Sequence, residues 1–186
     1  LSNLIGSVLG LVFILAFLGL LVFFTIRGRK HPSRNLRDIP AFSRLRRLAG
    51  LAVEAGTRLH ISIGRGGMLG AKSGAALAGL AVFERVTRAA SISDRPPVAT
   101  SGEGTLAILA GDGLHQAYRA VNAEQQYSPT SARLTGLTPL SFAAGVMPIL
   151  HDEQVSTNVL VGDFGSEVGL ITEAAERSGS LVIAGS

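Results

Sequence analysis

Four glycine-rich turns hold most of the residues in this 186-residue chain that could do chemistry. They read Gly64-Arg65-Gly66-Gly67, Ser101-Gly102-Glu103-Gly104, Gly136-Leu137-Thr138-Pro139 and Gly162-Asp163-Phe164-Gly165-Ser166. Turns of this kind bind anions, phosphates foremost, when they expose helix N-termini, because free N–H groups and the helix dipole converge there. Glu103, Asp163 and Glu167 add carboxylates suited to Mg²⁺ or to acid–base work, with Arg65 as a counter-charge. The same carboxylates suit a plainer task, complementing the dipole at a helix start. If the turns share one rim, the candidate ligand-binding residues are Gly64, Arg65, Gly66, Gly67, Ser101, Gly102, Glu103, Asp163 and Ser166.

None of these turns completes a known fingerprint. After Gly64-x-Gly66 a dinucleotide motif needs glycine at 69, where Leu69 stands, and Lys72-Ser73 follows Ala71 instead of the glycine of a phosphate-binding loop. Ser101 lacks the GxSxG elbow, and Asp163-Phe164-Gly165 stands without the other elements of a kinase. His31, His60, His115 and His151 show no HxxxH or HExxH spacing, and the chain has no cysteine. No metal site, thiolate nucleophile or disulfide framework is therefore expected. Catalytic residues stay unassigned and no cofactor is implied. Aromatic residues make up only 5% of the chain, too few for a base-stacking surface, so nucleic acid is not an expected partner.

The elements that must position these turns can be read from periodicity. Short apolar runs at Leu59 to Ile63, Pro97 to Thr100, Ala132 to Leu137, Asn158 to Val161 and Leu181 to Ala184 read as strands. Between them, helical spacing predicts helices over about Gly67 to Ala90, Gly104 to Val121, Pro139 to Leu150 and Glu167 to Ser178. Thr138-Pro139 and Ser166 are expected N-caps, Gly179 a stop, and Pro148 a kink or an end. The stripe expected to face the core in the second of these helices is Leu106, Leu109, Ala110, Gly113, Ala117 and Val121. In the first, Gly66, Gly70, Gly74 and Ala78 recur at fours, giving a nearly bare face suited to close approach by a strand, a helix or another subunit. Strands alternating with helices imply parallel pairing through right-handed crossovers. The expected fold is a Rossmann-like three-layer α/β domain with a mainly parallel sheet, preceded by one N-terminal transmembrane helix.

That helix is read from Leu4 to Ile26, 23 residues without a charge. At 1.5 Å per residue it extends about 34 Å, enough for a hydrocarbon core of about 30 Å. Gly6 and Gly10 form a GxxxG pair within it, which fits close helix pairing or simply the abundance of glycine in membrane helices. The 11 uncharged residues after Lys72 are too few for a second span.

The charge is unevenly placed. The chain has a net charge of +4, yet Arg27, Arg29, Lys30, Arg34, Arg37, Arg44, Arg46 and Arg47 face one acid, Asp38, a local net of +7. From Pro96 onward three arginines face nine acids, a net of −6. A basic collar beside an apolar span fits a membrane surface and puts the chain beyond Arg27 in the cytoplasm. Those eight residues are the candidate contacts to an anionic inner leaflet. The apolar spacing of Phe42, Leu45, Leu48, Ala49, Ala52 and Val53 predicts a helix over Ala41 to Ala55 that either lies on the leaflet or docks on the domain. The expected organisation is an anchor over residues 1–26, a basic juxtamembrane segment over 27–56 and a cytoplasmic domain over 57–186 that continues beyond Ser186 in a longer chain.

The run Glu54-Ala55-Gly56-Thr57-Arg58-Leu59-His60-Ile61-Ser62-Ile63-Gly64-Arg65-Gly66-Gly67, with an anchor before it and the turns at Thr100 to Glu103 and Val161 to Gly165 after it, resembles an uncharacterised family of prokaryotic membrane-anchored α/β proteins. The resemblance implies localisation and further membrane segments, and transfers no catalytic residue. The function expected first is a non-enzymatic module that self-associates or scaffolds membrane-protein partners at the inner leaflet. The rival expectation is a sensor or enzyme for a nucleotide or phosphorylated small molecule at the glycine rim.

Overall fold

The computed structural model describes residues 2–30, 40–91, 93 and 95–185. Contacts divide the chain into two units, Leu1–Ile39 and Pro40–Ser186. The first contains helix α1 (Ser2–Lys30). Its stretch Gly6–Arg27 has a mean hydropathy of 2.9, is nowhere buried, and among the described residues is the one helix long and apolar enough to cross a membrane.

The second unit is α/β. Its elements are α2 (Pro40–Glu54), β1 (Arg58–Gly64), α3 (Ser73–Ala90), β2 (Val98–Ser101), α4 (Gly104–Ala120), β3 (Ala132–Leu134), α5 (Pro139–Asp152), β4 (Val155–Asp163), α6 (Glu167–Arg177) and β5 (Leu181–Gly185). The strands pair in parallel in the order β3-β2-β1-β4-β5. The chain thus builds outward from β1 to one edge, then crosses back to build the other half, the doubly wound order of a Rossmann-like sheet.

Alternation along β1 divides two cores. Leu59, Ile61 and Ile63 point to the face covered by α2, α3 and α4, where Leu45, Ala76, Phe83, Leu106 and Leu114 complete a buried cluster. On the opposite face α5 and α6 bring Phe142, Val146, Leu150 and Ile171 against Val155 and Leu160 of β4. Each large side chain fully buried in this way contributes about 1.5–3 kcal/mol.

Helix α2 belongs to this folded unit, with Leu45 and Ala52 buried in the core, so of its two expected placements docking on the domain describes these residues. A turn at 55–57, in which the Ala55 N–H donates to the Leu51 carbonyl and the Thr57 N–H to the Ala52 carbonyl, sends the chain back along β1. At about 22 Å for fifteen helical residues and about 23 Å for seven extended ones, α2 and β1 match in length. The Pro40 end of α2 therefore lies toward the carboxyl ends of the strands.

Several local expectations need correction. Helix α3 starts at Ser73, so Gly66 and Gly70 lie in the preceding loop and the four-residue glycine repeat does not form one helix face. Gly70 has φ +96°, a left-handed conformation incompatible with a helix. The glycine of α3 that meets the sheet is Gly79, where a Cβ would come 2.9 Å from the Val161 carbonyl oxygen. In α4 the buried positions include Leu114 and Tyr118, while Val121 lies past the helix end and is exposed. Helix α5 runs on through Pro148 to Asp152, with Pro148 on its exposed side, where water can serve the freed carbonyl. Ser166 makes no side-chain cap, because its own backbone is already helical at φ −65°, ψ −18°. Thr138 does cap α5, in a reciprocal box with Ser141, and Gly179 ends α6 at φ +71°.

Candidate functional site

In a sheet of this order the neighbours β1 and β4 send their chains to opposite faces, β1 into α3 and β4 into α6, and the carboxyl ends of that pair form the topological switch point. Two glycines let the backbones close there. Gly64 has φ +78°, and a Cβ on it would sit 2.3 Å from the Asp163 carbonyl oxygen; Gly162 has φ +122°, and its Cβ would sit 2.2 Å from that of Ile63. The Arg65 N–H donates to the Asp163 carbonyl at 2.9 Å, and the Gly102 N–H donates to the Gly64 carbonyl at 2.9 Å. The ends of β4, β1 and β2 are thereby seamed together. A Cβ on Gly102 would fall 3.0 Å from the Gly136 carbonyl oxygen, which brings the β3 turn to the same rim.

Arg65 lies over Gly102, where any Cβ would strike its stem at 2.3 Å, and its Nε donates to Glu167 Oε1 at 2.7 Å. The Glu167 side chain is 0% exposed and that of Arg65 21%. Burial works to raise the Glu167 carboxyl, but the Gly165 N–H, the Arg65 guanidinium and its own N–H outweigh it and hold the group below the usual carboxylate range. Oε2 faces Gly165 in a geometry short of a full hydrogen bond. Lys72 Nζ meets Asp163 Oδ2 at 2.9 Å. Glu103 caps α4, accepting from the Leu106 N–H at 2.8 Å; burial works to raise it, and the N–H groups of Leu106 and Thr105 bring it below its ordinary value.

Ser101 is buried, accepts from the Glu103 N–H at 3.0 Å and donates to the Glu103 or Gly64 carbonyl. Gly66 packs against the Asp163 Cβ and Ala76. Gly67 faces only its own loop at Leu69, and Ser166 is exposed at the start of α6. The structure therefore gathers Gly64, Arg65, Gly66, Ser101, Gly102, Glu103 and Asp163, with Gly67 and Ser166 at the margin. Of the collar, Arg27 and Arg47 are exposed, Arg34 and Arg37 lie outside the described residues, and so do the side chains of Arg29, Lys30, Arg44 and Arg46.

Two polar clusters, one wholly buried and one half-buried, escape sequence reasoning. On the α5 side of the sheet His60 is wholly buried, with Nδ1 2.7 Å from Asn158 Oδ1 and Nε2 2.9 Å from Thr100 Oγ1. An amide oxygen only accepts, so Nδ1 carries the proton and Nε2 accepts from the threonine hydroxyl. Burial pushes the imidazole down to about 4, against the Asn158 hydrogen bond and the field of Glu153. At the opposite end of the strands Glu153 takes both Arg58 and Arg133, the latter at 2.5 Å. The partners within each cluster lie on different strands or, for Glu153, in the turn between α5 and β4, so no linear motif marks them. An open groove of about 560 Å³ lies away from the rim, between Leu48 and Leu51 of α2 and Leu181 to Ala184 of β5.

The chain belongs to a family described as a domain of unknown function, DUF6754, whose model matches residues 4–186. No curated protein and no solved structure matches it.

Proposed function

We propose, from the premise of that membership, that the chain is a membrane-anchored α/β module that assembles with itself or with membrane-protein partners at the inner leaflet, and that it does not turn over a substrate. The observation that carries this reading is that the rim binds its own charges. Arg65 is held by Glu167, Lys72 by Asp163, and the Glu103 carboxylate fills the N-terminus of α4. Phosphate sites at helix N-termini work by offering unfilled N–H groups and free cations, and here the chain's own carboxylates occupy those places. The apolar helix α1 supplies the anchor, and the basic collar from Arg27 to Arg47 supports a cytoplasmic domain. Native mass measurement in mild detergent is expected to show multimers or co-purifying membrane proteins. Monomer alone, with no partner recovered from crosslinked membranes, overturns the reading.

A second reading keeps the rim as a ligand site. It is favoured by the strand order, which puts a topological switch point at Gly64 and Gly162. It requires a nucleotide or phosphorylated metabolite to displace Glu167 from Arg65. Thermal stabilisation by such a compound, lost in Arg65→Ala, would establish it.

A further inference from the structure

The exposed apolar side chains of the folded unit are unevenly distributed. Four large hydrophobic residues of that unit are more than 60% exposed among those described: Leu69 at 94%, Ile108 at 75%, Leu140 at 72% and Leu137 at 69%. All four come after the carboxyl end of a strand. Leu69 is in the loop after β1, Ile108 in the second turn of α4 after β2, and Leu137 and Leu140 in the turn and first helical residues after β3. A single exposed leucine is ordinary, but the most exposed apolar side chains of a domain gathered at one of its ends mark a contact surface.

We infer that this rim rests on the lipid bilayer, with Leu69, Leu137 and Leu140 entering the interfacial layer. The inference rests on the membrane reading above and goes beyond it by assigning the surface that meets lipid. Two observations select lipid as the occupant. The rim is the end of the domain to which α2 returns its Pro40 terminus, and in sequence Pro40 follows the apolar span Gly6–Arg27 by only 13 residues. The rim's charges are also largely compensated within the domain, Arg65 by Glu167 and Lys72 by Asp163, while Glu103 sits on the α4 N-terminus. Paired charges are easier to bring against headgroups than free ones, and each buried leucine adds about 25 cal/mol per Å² of apolar surface removed from water.

The chain has no tryptophan, so single introduced tryptophans report without background. The full chain is reconstituted into vesicles of phosphatidylcholine and phosphatidylglycerol with or without brominated acyl chains. It carries Leu69→Trp, Leu137→Trp, Leu15→Trp in α1 or Val121→Trp at the far end of α4. Emission of the two rim tryptophans is expected to shift to the blue and to lose intensity with brominated lipid, as that of Leu15→Trp does, while Val121→Trp keeps water-exposed, unquenched emission. Rim tryptophans that behave like Val121→Trp while Leu15→Trp is quenched overturn the rim assignment and leave the anchor standing. Rim tryptophans that shift to the blue without bromine quenching show a protein cover and overturn it as well. An unquenched Leu15→Trp removes the membrane reading itself, and this inference with it.

Discussion

Arg65 and Glu167 illustrate why one member of an ion pair can matter more than the other. The carboxylate is fully enclosed, whereas the guanidinium keeps a fifth of its surface in water. Arg65→Ala strands a buried charge and is expected to cost about 3 kcal/mol; Glu167→Gln leaves a cation that water can reach and is expected to cost about 1 kcal/mol. Thermal melts of the two variants in one detergent test that order, and equal losses would deny it. His60 gives a pH dependence of definite sign. Its folded value near 4 lies below the ordinary 6.5, so the fold favours the neutral ring. Its contribution is complete above pH 6.5. It falls by up to about 3 kcal/mol as the pH drops toward 4, because only the unfolded chain takes up the proton. Melting of the parent protein between about pH 7 and pH 4.5 should show that slope, and His60→Gln should flatten it.

Glycines show how the elements approach one another. A Cβ at Gly145 of α5 would fall 2.3 Å from the Thr135 carbonyl oxygen, whereas one at Gly111 of α4 meets nothing nearer than 3.6 Å. Gly145→Ala is therefore expected to destabilise by about 1–3 kcal/mol through forced displacement of α5. Gly111→Ala, a better helix former with room for its methyl, is expected to stabilise by about 0.5–1 kcal/mol. Denaturation of both variants checks the opposite signs. Elements are legible in the sequence where local chemistry decides them. Thr138-Pro139 marks a helix start by capping alone, and the strand cores at Leu59 to Ile63 and Leu181 to Ala184 are short β-prone runs between turn signals. Where packing decides, the sequence is mute. Asn158 to Val161 is only the apolar heart of β4, whose polar flanks Ser156, Thr157 and Asp163 become strand by pairing with neighbours. Spacing alone misplaces the start of α3, because glycines at intervals of four imitate helical periodicity while the left-handed backbone of Gly70 leaves no mark in it.

At the scale of the whole molecule, alternation of strands and helices is enough to foresee a parallel α/β sheet and the meeting of the turns on one rim. The closure of that rim is not foreseeable, since Arg65 and Glu167 are brought together only when β4 docks beside β1. The strand order has a consequence in time as well as in space. As the chain leaves the ribosome, β1, β2 and β3 with α3 and α4 can gather first, but the other flank of β1 must wait for β4, whose Asn158 pairs with His60 almost a hundred residues later. Until then the central strand of the finished sheet is an open edge, and His60 has Thr100 but no Asn158. Contacts of such long sequence separation slow folding and leave pairing surfaces exposed meanwhile. Synthesis rate and chaperone supply thus become determinants of how much of this protein matures.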